Sequence, residues 1–532
     1  MKHIHAAFLI GALAGTAGCN DFLDVNTNPN GPQSVSANLY LPPMLHWLVT
    51  SPQFDGRFVG HYAQEWYSTS ANFSPGQSWG KMGYDAGSDN GAQQWRDVYW
   101  SLGQNLIDMN DKATAEQRWD LLGVGLILKA WGWQVLTDLH GDIIVKEAID
   151  QSRTKFDYDP QDYAYGEVQR LLDSAIVLLK RTDGAVDAGY LGVGDHIYNG
   201  DRTKWLKLAY GMLALTLNHY SNKLTTYDPA RVIRLVDSSF ASNADDPLLA
   251  YPCTSTDFAD CNFWGASRNN IPLYRQTLFV VNLMNGTQFG GTVDPRMSRM
   301  LAIDSANTTY RGVDVNATSG APFGALSLPQ RPRNFWGYVG GTGLGLPSRY
   351  IFADRSKIPV MTYSELQFIK AEAALSMGDQ AKARTADSLA IAAHFQFVND
   401  RSAEAGNPNA ITAASRDSFL ASPNILPATL TLSHIMSQKY IALWGWGHNE
   451  LWMDMRRYHY TDIDPVSGTQ VFRGFTPPTT LFGDNAGKLV QRIRPRFNSE
   501  YVWNRDALNA IGGLNSDYHT KDLWITQRIT QP

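Results

Sequence analysis

The stretch MTYSELQFIKAEAALSMGDQAKA, residues 361–383, decides the fold. Apolar residues recur in it at steps of three and four, which predicts a helix that begins at Thr362 or in the turn that follows it. The Gly-Asp pair at 378–379 breaks that helix, and the apolar pattern then resumes through Ala393. These residues therefore predict two consecutive helices joined by a tight turn.

Small residues in this stretch indicate how the two helices pack. The alanines of AEAA (371–374) follow Tyr363 and Leu366 at the spacing of a tetratricopeptide repeat, in which small side chains mark close helix crossings. The residues WDLLG (119–123) match the opening of the same repeat. The sequence thus predicts an all-α, tetratricopeptide-like scaffold of helical pairs.

The same periodicity extends outward along the chain. Asp201 is placed to cap the helix that follows it, and glycines at 445 and 447 interrupt the last helical stretch. The predicted helical pairs lie near 94–139, 163–222, 362–398 and 432–457. A chain of 532 residues exceeds the roughly 250–300 residues at which single cores stop growing, and a repeat scaffold reaches this length by addition.

Long segments between these helices are rich in Gly, Pro, Asn and aromatic residues. They cover residues 51–93, 223–360 and 459–532. Structureless segments of this length are uncommon in compact proteins and are usually functional. We therefore expect one domain over 37–532, in which a helical scaffold carries irregular insertions that bind a ligand.

The N-terminus has the pattern of an exported lipoprotein. Residues 1–18 hold an early lysine and a short apolar run that ends in small residues, as in a signal peptide. The run is too short to span a membrane, which takes about 20 apolar residues. Cys19 follows as in a lipobox, although Thr16 stands where that motif usually has Leu. We expect lipidation of Cys19 and a tether over 19–36; the alternative is a core cysteine in an ordinary soluble N-terminus.

Charge and cysteine content limit the possible functions and the state of the cysteines. Only 18% of residues are charged and the net charge is −5, without clustered Lys and Arg, so no nucleic-acid-binding surface is expected. In an exported protein, Cys253 and Cys261 are close enough in sequence to form a disulfide bond. Two free thiols are the alternative.

Several motifs, taken in order, resemble the SusD/RagB family. They are CNDFLDVNTNPN (19–30), TDLHGDI (137–143), GDRTKWLKLA (200–209), MTYSELQFI (361–369), QKYIAL (438–443), ELWMDMRR (450–457) and RPRFNSE (494–500). Each is weak alone, but their order and spacing over nearly the whole chain are specific. His140 departs from the pattern, because relatives usually carry Tyr there.

This resemblance implies a lipid-anchored protein on the cell surface, in the outer membrane, that binds oligosaccharide or polysaccharide without catalysis. It also implies delivery to a SusC-like TonB-dependent transporter, and some branches of the family bind peptides instead. A surface glycoside hydrolase is a second reading, which needs two carboxylates about 5 to 10 Å apart in one cleft; Glu65, Glu450 and Asp454 are its candidates. A scaffold that binds only proteins is a third.

Most of the motif residues have a structural explanation. Asp454 with Arg456 and Arg457, and Glu365 within an apolar helix, suit buried charge-assisted pairs. The histidines show neither an HExxH pair nor Cys/His ligand spacing, so no zinc site or other cofactor is expected. A structural calcium ion on the Asp-rich residues 157–162 stays open.

Aromatic residues in the loops are the candidates for ligand binding. Sugar rings stack their axial C–H groups on Trp or Tyr faces while nearby polar groups bind the hydroxyls. The candidates lie between residues 65 and 84, beside the two cysteines, and beside the glycine-rich residues 340–345: Trp66, Tyr67, Trp79, Tyr84, Phe263, Trp264, Arg268, Trp336 and Tyr338, with Trp79, Trp264 and Trp336 first. The alternative is that each ring pins its loop to the core.

Overall fold

The computed structural model describes residues 35–69, 78–254, 256–317, 323–338, 349–407 and 409–528. Cys19 and the N-terminal signal therefore lie outside the described residues. The helices are α1 (Leu41–Tyr62), α2 (Gln93–Arg96), α3 (Gly103–Ala115), α4 (Trp119–His140), α5 (Gln161–Lys180), α6 (Ala188–Gly194), α7 (Arg202–Asn218), α8 (Pro229–Asp237), α9 (Leu278–Met284), α10 (Met297–Met300), α11 (Tyr363–Ser376), α12 (Gln380–Glu404), α13 (Ala413–Leu420), α14 (Leu432–Leu443), α15 (His448–Arg457) and α16 (Arg505–Ala510). Across these described ranges, no helix is both long and apolar enough to cross a membrane.

Extended backbone is confined to short pairs in the described part of the chain. Strand β1 (Trp66–Ser68) pairs antiparallel with β3 (Tyr274–Gln276), with Tyr67 opposite Arg275. Strand β2 (Leu248–Leu249) pairs antiparallel with β4 (Ile358–Pro359). Each pair joins two segments that lie between the long helices. The prediction of an all-α fold is confirmed.

The helices stack in chain order. Helix α4 packs on α3 and α5, α5 on α7, α7 on α8, α8 on α11, and α11 on both α12 and α14. Helix α15 then contacts α1 and α4, so the end of the stack returns to its beginning. Helix α4 is buried between its neighbours, which is why it is apolar on more than one side. This is the tetratricopeptide-like arrangement of helical pairs that the sequence predicts.

The helix ends follow the predicted caps. Thr362 and Glu365 form a capping box at the start of α11: Thr362 Oγ1 accepts from the Glu365 amide at 3.1 Å, and Glu365 Oε2 accepts from the Thr362 amide at 3.2 Å. Asp201 caps α7 by accepting from the Thr203 amide at 2.9 Å. Local sequence therefore fixes where these helices begin.

Helix α1 was not predicted. The range 51–93 was predicted as loop, but its first residues lie in this helix, so that boundary is wrong. Pro52, Gly56 and Gly60 lie within α1 and are residue types that disfavour helix. Packing explains Gly56, where an added Cβ would come within 2.3 Å of the His448 ring. Close tertiary contact with α15 therefore outweighs helix propensity in this segment.

Candidate functional site

The three rings placed first as ligand contacts are core residues. Trp264 is 0% exposed, and Trp79 and Trp336 are each 1% exposed. Trp66 and Tyr67 are also buried. The expectation that these rings form exposed platforms is therefore wrong in this structure, and the alternative, that they pin loops to the core, holds for them.

Rings from all three predicted aromatic segments meet in one aromatic core. The rings of Trp66 and Trp264 pack edge to face with centroids 5.3 Å apart, and both contact the ring of His448. The indole N–H of Trp336 donates to the backbone oxygen of Trp264 at 2.9 Å. Strand β1, which contains Trp66, pairs with β3 and so lies against the core. Burial of a large apolar ring such as that of Trp66 stabilises the fold.

The remaining candidates lie nearer the surface. Cys253 and Cys261 form a disulfide bond, as the sequence predicted. Beside it, Phe263 is buried, while the half-buried Arg268 donates to the Ala259 backbone oxygen at 2.7 Å. Tyr338 is 36% exposed and adjoins residues outside the described ranges. This region presents single side chains, not a set of converging groups.

A groove with converging groups forms where residues 84–90 face residues 493–501. It encloses about 610 Å³ of free space, part of it open to solvent. Trp79 reaches its wall from the core side, and Tyr84 lies half-buried along it. Two of the predicted residues thus belong to one concave site, although only Tyr84 offers substantial surface.

Aromatic rings line the groove from both sides. The half-buried rings of Phe497 and Tyr501 stack at 5.5 Å with an interplanar angle of 19°. The guanidinium of Arg494 lies 4.5 Å from the centroid of Tyr84 and 5.6 Å from that of Tyr501. These contacts hold the rings in place, and each ring is only partly exposed. A rigid, partly exposed set of rings suits stacking against a flat ligand face.

Hydrogen bonds fix the polar side of the groove. The Tyr84 hydroxyl donates to Asp484 Oδ2 at 2.6 Å; burial, followed by this bond, raises the tyrosine pKa to about 12, so the hydroxyl stays protonated. The Asn90 side chain donates to Asp85 Oδ2 at 2.8 Å. Asp89 pairs with Arg496 at 2.6 Å and thereby ties the two segments together. Hydroxyl, amide and carboxylate groups can therefore bind the hydroxyls of a ligand that stacks on the rings.

Sequence reasoning missed the second wall of this groove. Residues 494–500 stand in the sequence analysis only as a family motif, and Tyr501 is not singled out there. The local signal is the same as in the 65–84 segment, since Phe497 and Tyr501 lie among Arg, Asn and Ser. What sequence cannot supply is the pairing of two segments about 400 positions apart.

The carboxylates nominated for hydrolysis are held in ion pairs, and of the three only Glu450 is partly exposed. Glu65 is 0% exposed and contacts His448 Nδ1 at 2.6 Å. Glu450 and Asp454 share the ammonium of Lys439, at 3.0 and 2.7 Å. Asp454 pairs with Arg457, as the structural explanation expects, whereas Arg456 donates to the backbone oxygens of Asp138 and Gln491.

The charged network behind these groups is built from α11, α14 and α15. Arg457 pairs with Glu372 at 2.7 Å and also with Asp454. Burial raises the pKa of Glu372, but the Arg457 guanidinium outweighs it and holds the pKa at about 2. Burial lowers the pKa of His219, but Glu450 and Asp138 outweigh it and raise the pKa to about 9. The network therefore stays charged at neutral pH.

Within the Asp-rich residues 157–162, the buried Asp159 is bound by protein partners. Asp159 Oδ2 accepts from the backbone amides of Val145 and Lys146, at 3.0 and 2.8 Å. Its other oxygen pairs with Lys146 Nζ at 2.8 Å. Among the residues that the structure describes, no group of three or more His, Cys, Asp or Glu is placed to hold a metal ion.

The stack of helical pairs is a scaffold of the tetratricopeptide-like class, and it carries an aromatic groove at its surface. The profile of the SusD-like family, described as starch-binding and associating with the outer membrane, matches residues 29–476. The chain belongs to the SusD-like family. The predicted resemblance is thereby confirmed.

Solved structures have the same fold. The chain is 20% identical to a SusD/RagB family protein from Bacteroides thetaiotaomicron, with a TM-score of 0.69, and the match covers 93% of this chain and 100% of the other. It is 17% identical to a chitin-binding SusD homologue from Flavobacterium johnsoniae, with a TM-score of 0.68 and coverage of 92% and 98%. A Bacteroides fragilis SusD homologue matches at 18% identity, a TM-score of 0.69 and coverage of 93% and 100%. No curated protein is similar enough in sequence to count as a match.

Proposed function

We propose that this protein binds glycan chains at the groove between residues 84–90 and 493–501, without cleaving them, and passes them to a SusC-like TonB-dependent transporter. The observation that carries the proposal is the half-exposed stack of Phe497 and Tyr501 beside polar groups held in place by the opposite wall. Rings of this kind bind the C–H face of a sugar, and the amide and carboxylate groups bind its hydroxyls.

Family membership supports the choice of ligand and place. The family is described as starch-binding and associated with the outer membrane, and one structural relative is described as chitin-binding. Attachment through a lipid on Cys19 accounts for that association, and residues 19–36 then serve as the tether. Glu65, Glu450 and Asp454 are each held in an ion pair, which supports binding over hydrolysis.

The proposal is tested by affinity gel electrophoresis of the protein on a panel of soluble plant, fungal and bacterial polysaccharides. We expect retardation on at least one of them, and loss of that retardation in the variant Phe497→Ala/Tyr501→Ala. The matched control is Trp100→Ala, which removes an aromatic ring that is 68% exposed and does not line the groove. The control should be retarded like the wild type.

Two outcomes contradict the proposal. Retardation on no member of the panel would exclude general glycan binding, and equal retardation of the groove variant would place the site elsewhere. Release of reducing ends from any polysaccharide by the purified protein would instead support the hydrolase reading.

Delivery to a transporter needs its own experiment. We expect protein purified from outer membranes of the native host through a C-terminal tag to bring with it a TonB-dependent barrel. The variant Cys19→Ala should not fractionate with the outer membrane. Recovery of the wild-type protein alone, or unchanged membrane association of the variant, would contradict this part of the proposal.

A further inference from the structure

A second cleft, separate from the glycan groove, opens between α1, α4, α7 and the turn that leads into α15. It encloses about 790 Å³ of free space, part of it open to solvent, and shares no lining residue with the groove. Its walls are apolar and include Trp131, Met212, Leu215 and Trp446. An apolar ligand segment can therefore be desolvated there.

The charged residues that line this cleft are all acidic. They are Asp138 on α4, Glu365 on α11 and Glu450 on α15. The cations of the network, Lys439 and Arg457, are fully buried and do not line the cleft. The acidic groups therefore face the free space of the cleft, whereas Lys439 and Arg457 lie in the core behind them.

Glu365 is the lining group that points most directly to a ligand. Its side chain is only 2% exposed, and its Oε2 accepts from the Thr362 amide, whereas no described residue hydrogen-bonds to Oε1. Burial, followed by the charge of Glu450, raises its pKa to about 8. Oε1 is not sealed from solvent, so it is free to accept from a cationic donor that enters the cleft.

The two remaining acidic groups hold their positions through neutral or buried partners. Asp138 Oδ2 accepts from the Gln134 amide at 2.8 Å. Glu450 accepts from Lys439 and His219 at 3.0 and 2.8 Å. Each carboxylate oxygen has two lone pairs, so both groups can accept a further hydrogen bond from the cleft side.

We propose that this cleft binds a primary ammonium group carried on a short apolar stem, with the ammonium at the floor formed by Asp138, Glu365 and Glu450 and the stem along the apolar walls. The ammonium supplies three donors, which matches the three acidic groups that line the cleft from three different helices. Free alkylamines and the lysine side chain of a peptide share this chemistry. The site adds a second ligand class to the proposed glycan-binding protein and does not depend on the groove.

The test is a titration of the full-length protein with n-butylamine at pH 8.5, where Glu365 is largely ionised and the amine is still protonated, followed by ligand-observed NMR. We expect saturable binding of n-butylamine and at least tenfold weaker binding of n-butanol, which has the same stem without the charge. Nα-acetyl-lysine amide is the second arm: binding shows that the cleft takes lysine side chains, and its failure beside bound n-butylamine shows that it takes free amines.

Two variants make the result specific. Glu365→Gln keeps the capping box, because Gln serves at that position as well as Glu. This variant should bind n-butylamine at least tenfold more weakly than the wild type. Its melting temperature is measured to check that it stays folded. Leu215→Lys places a tethered ammonium on the wall of the cleft and should abolish binding. Equal binding of n-butanol and n-butylamine, unchanged affinity in both variants, or no binding of any amine would overturn the proposal.

Discussion

Replacing Trp264 by Ala should cost stability and leave the ligand site intact, although sequence reasoning placed this ring among the first ligand contacts. The side chain is 0% exposed and packs against Trp66 and His448. Its indole nitrogen has no hydrogen-bond partner in the described residues, so the loss is one of packing alone. A buried Trp covers about 150–250 Å², which is worth about 4–6 kcal/mol at about 25 cal/mol per Å². Because Ala keeps part of that buried area, we expect the substitution to cost roughly 3–5 kcal/mol.

The assay is urea unfolding of wild type and variant, followed by circular dichroism, with glycan affinity measured in parallel below the transition. The control Trp100→Ala removes a ring that is 68% exposed and should change stability by less than about 0.5 kcal/mol. A Trp264→Ala protein with wild-type stability and no glycan binding would refute this reasoning, because it would show that the ring contacts ligand.

Three further predictions concern the network and the disulfide bond. The pKa of His219 is raised from 6.5 to about 9, so the stability that its charge contributes is present below pH 6.5 and is lost as pH rises to 9, by roughly 3 kcal/mol at most. The melting temperature should therefore fall between pH 6 and pH 9. The variant His219→Gln should show a smaller fall over the same range. Arg457→Met leaves the buried Glu372 without its partner and should cost about 3–5 kcal/mol in urea unfolding, whereas an unchanged midpoint would argue against the pair. Reduction of the bond between Cys253 and Cys261 should cost about 2–3 kcal/mol in the chain-entropy description, seen as a lower melting temperature with reductant and no change in a Cys253→Ser/Cys261→Ser variant.

The helical scaffold could be predicted from sequence because its signals are local. Thr362 with Glu365, and Asp201 ahead of α7, cap helices within a few residues of themselves. The glycine break at 378 ends α11 within two residues of where the pattern places it. Periodicity and capping act over one or two turns, and they are visible in a single chain.

Helix α1 and the ring positions could not be predicted, because they depend on distant partners. Gly56 lies in a helix because the ring of His448, almost 400 positions later, fills the space beside it. Trp79 and Tyr84 lie in the same aromatic segment, yet one is buried and the other half-exposed. Composition identifies a segment able to bind a ligand, while tertiary packing decides which of its rings are free to do so.

The groove could be predicted from sequence only in part. Its first wall falls in the segment that the aromatic pattern singled out, and its second wall, with Phe497 and Tyr501, falls in a motif read as structural. The salt bridge from Asp89 to Arg496 is what joins them. Sequence therefore predicted a site of the right chemistry but could not assemble it.

Isothermal titration of a bound oligosaccharide, chosen from the polysaccharide panel, into wild type and Phe497→Ala/Tyr501→Ala tests the central claim most directly. We predict a dissociation constant in the micromolar to millimolar range, about −8 to −4 kcal/mol, for the wild type. The double variant should bind at least tenfold more weakly while its urea midpoint stays within about 1 M of wild type, as expected for half-exposed rings. Equal heats and equal affinity for the two proteins would contradict the assignment of the groove as the glycan site.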